Sequence, residues 1–293
     1  MSGRRVVIIG DVMLDVVVKR TLPLARTSDT PARVRISRGG SGANLAVALG
    51  DVGHHVVYVG ACGDDAPRQI FEGELATGGV SAHLQVTSTA TGVVVALVDE
   101  DGQRAMLTDR GANPLLTELF VMRQLNEPFD HLHVSGYTLL DSATRDIGSA
   151  ALRFARETGR TSSVDVCSVG PLVEVTPEIF LEAARESNML FANEEEALVL
   201  SRRGGVDDAI ATLCEAFDEV VVTRGPSGAV ASCGEERASA LSQGKDVIDT
   251  TGAGDAATGA YLGARLSGAS LGAALELAMA ASAHVVRGLG ARG

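Results

Sequence analysis

The sequence predicts an α/β protein: a central, mostly parallel sheet flanked by helices, with a small separate β-sheet built from two excursions of the main chain. Short apolar runs alternate with helix-length stretches, as at Arg5–Gly10, His131–Val134, Thr161–Asp165, Met189–Phe191 and Glu219–Thr223. That alternation is the pattern of parallel strands joined by crossover helices. Within residues 12–38, Val16–Val18 and the alternating Ala32–Ser37 instead read as two half-exposed strands around a loop, and Thr91–Val98 and Arg104–Asp109 as a second strand pair joined by a turn. The chain then divides into a core of residues 1–11, 39–90 and 111–293 and a β unit of residues 12–38 and 91–110.

Composition narrows the function. With 293 residues, 45% of them hydrophobic, a sizeable core is available. A net charge of −12 argues against nucleic acid or an anionic membrane as partner, although a local basic patch would still accept an anionic small molecule. Cys62, Cys167, Cys214 and Cys233 are far apart and contain no C-x-x-C pair, so buried thiols in a reducing cytoplasm are expected rather than a zinc site or disulfides. No stretch reads as a membrane span or a signal-peptide core.

Arg5–Gly10 reads as a buried parallel strand, and Asp11 and Asp15 follow at its carboxyl end, where open α/β sheets bind ligands. A carboxylate accepting hydrogen bonds from neighbouring hydroxyls suits a polyol. The alternatives are a turn residue for Asp11 and a surface charge for Asp15. Val16–Val18 and Ala32–Ser37 form the first strand pair, with Arg33 and Arg35 on one face as solubilising edge charges. Arg38-Gly39-Gly40-Ser41-Gly42-Ala43-Asn44 opens a helix over 45–52. Paired glycines let a ligand approach the backbone there, and Asn44 can donate and accept. His55–Val59 is a second buried strand and Ala66–Ala76 a helix. Thr91–Val98 and Arg104–Asp109 pair across a turn at residues 99–102 before Asp109–Asn113 returns to the core.

Strands and helices then alternate, with helices over 143–158, 177–184, from Glu194, and over 271–287. Asn193 and Glu196 straddle a helix start at a strand end. The acidic cluster there compensates the helix dipole, or Asn193 and Glu196 on one face hold water around Mg²⁺. Thr223 ends a strand before the turn Arg224–Ala229, which serves as a nucleotide-contacting loop or as a hairpin turn. In Asp249-Thr250-Thr251-Gly252-Ala253-Gly254-Asp255 a glycine-rich turn opens directly into a helix. Unpaired N–H groups and the helix dipole form an anion site there, and Asp255 beside it is placed as a base, the minimum equipment for phosphoryl transfer to a hydroxyl. The plainer reading is an ordinary capped helix. Gly252, Gly254 and Ala257 also match a loose dinucleotide fingerprint, but the long apolar strand it requires is missing, with only Val247 and Ile248 before it. No G-x-x-x-x-G-K-[ST] occurs.

Four of these segments, in this order, resemble the ribokinase-like, PfkB-type sugar kinases over essentially the full chain. They are Gly39–Asn44, Asn193–Glu196, Thr223–Gly228 and Asp249–Asp255. The resemblance implies a ribokinase-like fold with the β unit as lid, and transfer of the γ-phosphoryl group of ATP to a sugar hydroxyl. Asp255 would be the general base, and Gly252, Ala253 and Gly254 the anion hole. Asn193 and Glu196 would order Mg²⁺ and its waters, and Thr223, Gly225 and Gly228 would line the ATP site. Asp15, Gly39, Gly40 and Asn44 would hold the sugar, with Asp11 beside them. Asp249 and Thr251 match positions that bind a monovalent cation such as K⁺ in some members, and the lid makes a homodimer interface in many. Ribokinases usually carry Lys where this chain has Ser41. Nucleoside kinases of the family stack the base on aromatics, and none lies between Asp11 and Arg38. Arg33, Arg35, Arg104 and Arg110 keep a sugar acid or sugar phosphate in view, and Asp11–Asp15 is similar to heptose-phosphate kinases over that short stretch. A free sugar or sugar acid is the expected acceptor. Nucleosides, sugar phosphates and a catalytically degenerate sensing module are the alternatives.

Overall fold

The computed structural model describes residues 3–20, 22–25, 27–98, 104–244 and 250–287. In chain order the strands are β1 (Arg5–Ile9), β2 (Met13–Arg20), β3 (Ala32–Gly39), β4 (His55–Gly63), β5 (Val80–Thr87), β6 (Gly92–Val98), β7 (Arg104–Asp109), β8 (His131–Ser135), β9 (Thr161–Asp165), β10 (Met189–Asn193), β11 (Glu219–Thr223), β12 (Ala229–Cys233) and β13 (Glu236–Ala240). The helices are α1 (Ser41–Asp51), α2 (Ala66–Thr77), α3 (Glu118–Leu125), α4 (Gly136–Leu140), α5 (Arg145–Glu157), α6 (Val169–Val175), α7 (Pro177–Ala184), α8 (Glu194–Ser201), α9 (Val206–Leu213), α10 (Ala253–Leu266) and α11 (Leu271–Val285).

Nine strands form one sheet in the order β13-β12-β11-β10-β9-β8-β1-β4-β5, parallel except for the β12 and β13 edge. β1 shows why its sequence is continuously apolar. Val7 and Ile9 enter a core with Val121, Leu152 and Phe180, whereas Val6 and Ile8 enter another with Leu45, Phe71 and Tyr261. Alternate side chains of a strand point to opposite faces, so a strand covered by helices on both sides needs an apolar residue at every position.

The second sheet has four strands in the order β3-β2-β6-β7. Two polar anchors fix its root on the core. Asn113 Oδ1 accepts from the Val12 N–H at 2.7 Å while its Nδ2 donates to the Val12 carbonyl at 3.1 Å. Asp65 caps α2 and also accepts from the backbone and hydroxyl of Thr91 at 2.7 and 2.6 Å. β3 is an edge strand and its outer residues, Arg33 and Arg35 among them, are exposed, as edge charges are.

The structure differs from the sequence reading in several elements. The strand expected at 16–18 runs from Met13 to Arg20 and so carries Asp15 within it. β5, α3, α9 and the β12–β13 hairpin were not anticipated. β5 and β13 lie at the two edges of the large sheet and keep partly exposed residues, so neither shows the uninterrupted apolar run that marked the central strands. The turn expected at residues 99–102 lies outside the described residues.

Candidate active site

The carboxyl ends of β1 and β9–β11, the root of the small sheet and the first turns of α1 and α10 converge. Asp15 projects from β2 against the backbone of Gly39, where an added Cβ would lie 1.9 Å from its Oδ1. The neighbouring Gly40 has φ 93°, a conformation that favours glycine, and a Cβ there would meet the Asp11 carbonyl at 2.6 Å. Burial, and secondarily the negative charge of Asp255, push the Asp15 carboxyl up to about 6 despite Arg38. Asp255, in the first turn of α10, is gripped by two donors from α1: Ser41 Oγ donates to Oδ1 and Asn44 Nδ2 to Oδ2, each at 2.7 Å. Burial raises its pKa, opposed by those hydrogen bonds and by Arg38. Asp15, Gly39, Gly40, Asn44 and Asp255, separated widely in sequence, therefore surround one point.

On the other side of Asp255 a cavity of about 110 Å³ is lined by Asp165, Asn193, Glu196, Thr223, Gly254 and Asp255, among others. Asn193 and Glu196 close a reciprocal cap on α8: the Glu196 N–H donates to Asn193 Oδ1 and the Asn193 N–H to Glu196 Oε2, both at 2.8 Å. The pair thus serves as a helix cap, and Glu196 lines the cavity as well. Burial takes its carboxyl to about 7. Asp165 was missed. Burial first, then repulsion from Glu196 and Asp255, push its pKa well above the usual carboxylate range. Its signal was legible, because Asp165 ends a predicted strand, much as Asp11 was expected to follow one. Carboxylate oxygens suit a hard cation such as Mg²⁺, and Asp165 and Glu196 in this cavity are of that kind; among the described residues no three such groups cluster to enclose an ion, so water and phosphate oxygens would complete its shell. When bound, the ion would neutralise charge on the transferring phosphates. Cys167, at φ 72°, donates its N–H to Asp165 Oδ1 at 3.0 Å and sets its Sγ 3.7 Å from Ser41 Oγ.

The remaining expected residues fall as follows. Gly252 is the left-handed N-cap of α10, and the Ala253 N–H donates back to the Thr250 carbonyl at 3.3 Å. The N–H groups of Gly254 and Asp255 belong to the first turn, which has no intrahelical acceptor. Thr251 lies in the preceding turn, and Asp249 is outside the described residues. Gly225 starts a 3-10 turn after Thr223. Gly228 (φ 88°) must be glycine for a reason within the fold, since a Cβ would sit 1.9 Å from the Ala240 carbonyl in the hairpin. Asp11 is buried, and Arg110 donates to both of its oxygens, to Oδ1 at 2.7 Å, while also reaching Asp141. Of the four cysteines, all free, only Cys62 is fully buried and the other three are partly exposed, short of the buried thiols expected. Larger cavities elsewhere, such as one of about 390 Å³ between α5 and α7, are lined by ions such as Arg185 that pair with their neighbours Glu182 and Glu186. Convergence of carboxylates and first-turn amides, not size, marks the site.

Residues 4–293 match the profile of the pfkB family of carbohydrate kinases. The chain is 30% identical to the ATP-dependent ribose-1-phosphate kinase of Halopiger xanaduensis, over 98% of this chain and 94% of that one. It is 26% identical to the ribokinase of Bacillus subtilis, over 99% and 95%. The solved adenosine kinase of Sinorhizobium meliloti superposes with a TM-score of 0.87 at 25% identity, covering 99% of this chain and 96% of that one. The chain belongs to the pfkB family of carbohydrate kinases, ribokinase-fold phosphotransferases that use ATP and Mg²⁺ to phosphorylate an alcohol group.

Proposed function

We propose that this kinase phosphorylates a hydroxyl of a free sugar or sugar acid, held between Asp15 and the Gly39-Gly40 backbone and presented to Asp255 as general base. The observation that carries the reading is Asp255 itself, fixed through both oxygens between the Asp15 side and the cavity lined by Glu196 and Thr223. An alcohol is far less acidic than a carboxylic acid, so Asp255 mainly orients the hydroxyl and takes its proton late. Alignment and neutralised phosphoryl charge supply most of the rate. The amides of Gly252 and Gly254 would receive the γ-phosphoryl group, Gly254 being exposed, and the Ala253 N–H would join them on leaving the Thr250 carbonyl. Asp15 and Asp255 facing the acceptor favour hydroxyls at that point, so a carboxylate or phosphate on the acceptor would have to lie away from both. The sugar-phosphate reading is supported by the relative named a ribose-1-phosphate kinase and by Arg38 beside those carboxylates. A monovalent cation near Asp249 and Thr251 rests on sequence alone.

The test is Mg²⁺-dependent ADP release from ATP across sugars, sugar acids, sugar phosphates and nucleosides, with Asp255→Asn alongside. The variant is expected to lose roughly 10²–10⁴ in kcat while still binding ATP. Unchanged turnover would remove Asp255 from the mechanism.

The same reading extends to assembly. On one face of the small sheet Ile36, Val16, Val95 and Leu107 align in register, and Ile36 and Leu107 are 54% and 60% exposed. Val34 and Val18 continue the row. A second copy of the lid would cover this apolar face. Ile36→Asp should then yield monomers in sedimentation, and a wild type that already sediments as a monomer would count against the dimer. Four free thiols are consistent with a cytoplasmic setting. No helix among the described residues is long and apolar enough to cross a membrane.

A further inference from the structure

We infer that Arg38 is a positioning residue for Asp255, acting through Asn44, so that the base is oriented from the small sheet as well as from the core. The inference deepens the reading above and rests on Asp255 being the base. Arg38 is the penultimate residue of β3, opposite Leu14 of β2, and only 3% exposed. A guanidinium carries donors and no acceptor, and it stays charged. Its Nη1 donates to Asn44 Oδ1 at 2.7 Å. With that oxygen committed, the Asn44 amide can face Asp255 only with its NH₂, which donates to Asp255 Oδ2 at 2.7 Å. The reversed amide would press NH₂ against guanidinium and oxygen against carboxylate, two repulsions in place of two charge-assisted bonds.

Ser41 and Asn44 stand three apart on one face of α1, so together they hold the two oxygens of Asp255 in a defined plane. Arg38 ties that plane to the end of β3. The next residue, Gly39, is the one that lies against Asp15. The carboxylate that would hold the acceptor and the one that would take its proton are thus referenced to a single strand end. Ser41 and Asn44 from α1 touch Asp255, Arg38 acts on it by charge, and its own charge acts on Asp15 of the small sheet, Tyr58, Tyr137, Asp165, Cys167 and Glu196.

The test compares Arg38→Met, Asn44→Ala and the double variant by acceptor-stimulated ADP release, with Arg38→Gln as a milder substitution for the same cycle. Each single variant should lose roughly tenfold to hundredfold in kcat, the weight of a hydrogen bond involving a charged group, with KM for ATP unchanged. The double variant should lose clearly less than the product of the two single losses, since Arg38 has lost the group through which it orients Asp255 and keeps only its charge. Losses that multiply in the double variant, or an Arg38→Met enzyme with wild-type kcat, would overturn the inference. A crystal structure of Arg38→Met, or of Arg38→Gln, at a resolution that tells the amide oxygen from its nitrogen reads the orientation without any turnover. An Asn44 amide turned away from Asp255 supports the inference, and an amide kept in its wild-type contact overturns it. A wild type that no acceptor stimulates would be a failure of the functional reading, and the crystallographic result would still decide the orientation.

Discussion

Asp15→Asn separates what this carboxylate does for the acceptor from what it costs the fold. Burial, then the charge of Asp255, take its pKa from 3.8 to about 6 in the folded protein. Between those values the folded chain binds a proton that the unfolded chain does not. The stability linked to this group is therefore fully present below the unfolded-state value and is lost as the pH climbs through about 6. At ~1.4 kcal/mol per tenfold, the ionised group destabilises the fold by about 3 kcal/mol at pH 8. An amide of the same shape carries no charge at any pH. Its expected advantage over the wild type runs from about 3 kcal/mol at pH 8 to near zero at pH 4. The assay is urea denaturation of both proteins across that range at constant ionic strength, with equal m-values as the check on comparability. In the same preparations KM for the acceptor should rise by roughly tenfold to hundredfold, because a charged hydrogen-bond acceptor has been lost, while KM for ATP stays put. A stability difference that is flat from pH 4 to 8 would refute the claim that this carboxylate is held against its own solvation beside Asp255.

Two further outcomes follow from the geometry. No atom lies within 4 Å of a Cβ added to Gly254, so Gly254→Ala should melt within about 1 kcal/mol of the wild type while phosphoryl transfer falls sharply; unaltered kinetics would mean that no phosphate approaches that amide. His131 and His133 are fully buried, which lowers each to about 3. Their neutral forms thus contribute stability above about 6.5 that is lost as the pH falls toward 3, about 2 kcal/mol each by pH 5. His133→Leu should flatten that acid limb in urea melts relative to the wild type, and a limb of unchanged slope would exclude this histidine as its source.

How far the sequence reached depends on the range of the interaction that decides each feature. The central strands and the glycine turns before α1 and α10 were legible because their cause is local: an apolar residue at every position, or a backbone that a side chain would obstruct. Edge strands such as β5 and β13 were not, since half-exposed residues leave no such run. The site divides in the same way. Asp11 and Asp165 satisfy one rule, a carboxylate at or just beyond the carboxyl end of a parallel strand, and nothing in their immediate neighbourhoods ranks one above the other. The structure separates them. Arg110, 99 residues along the chain, fills both oxygens of Asp11, whereas Asp165 lines the cavity opposite Glu196. Asp255 was expected as a base from its turn, yet its orientation comes from donors 214 and 211 residues away. A residue type at a strand end shows that a chemical group is available. Its distant partners decide whether that group is paired with a guanidinium, as Asp11 is, or held by a hydroxyl and an amide at the edge of the cavity, as Asp255 is, where the proposed acceptor would meet it.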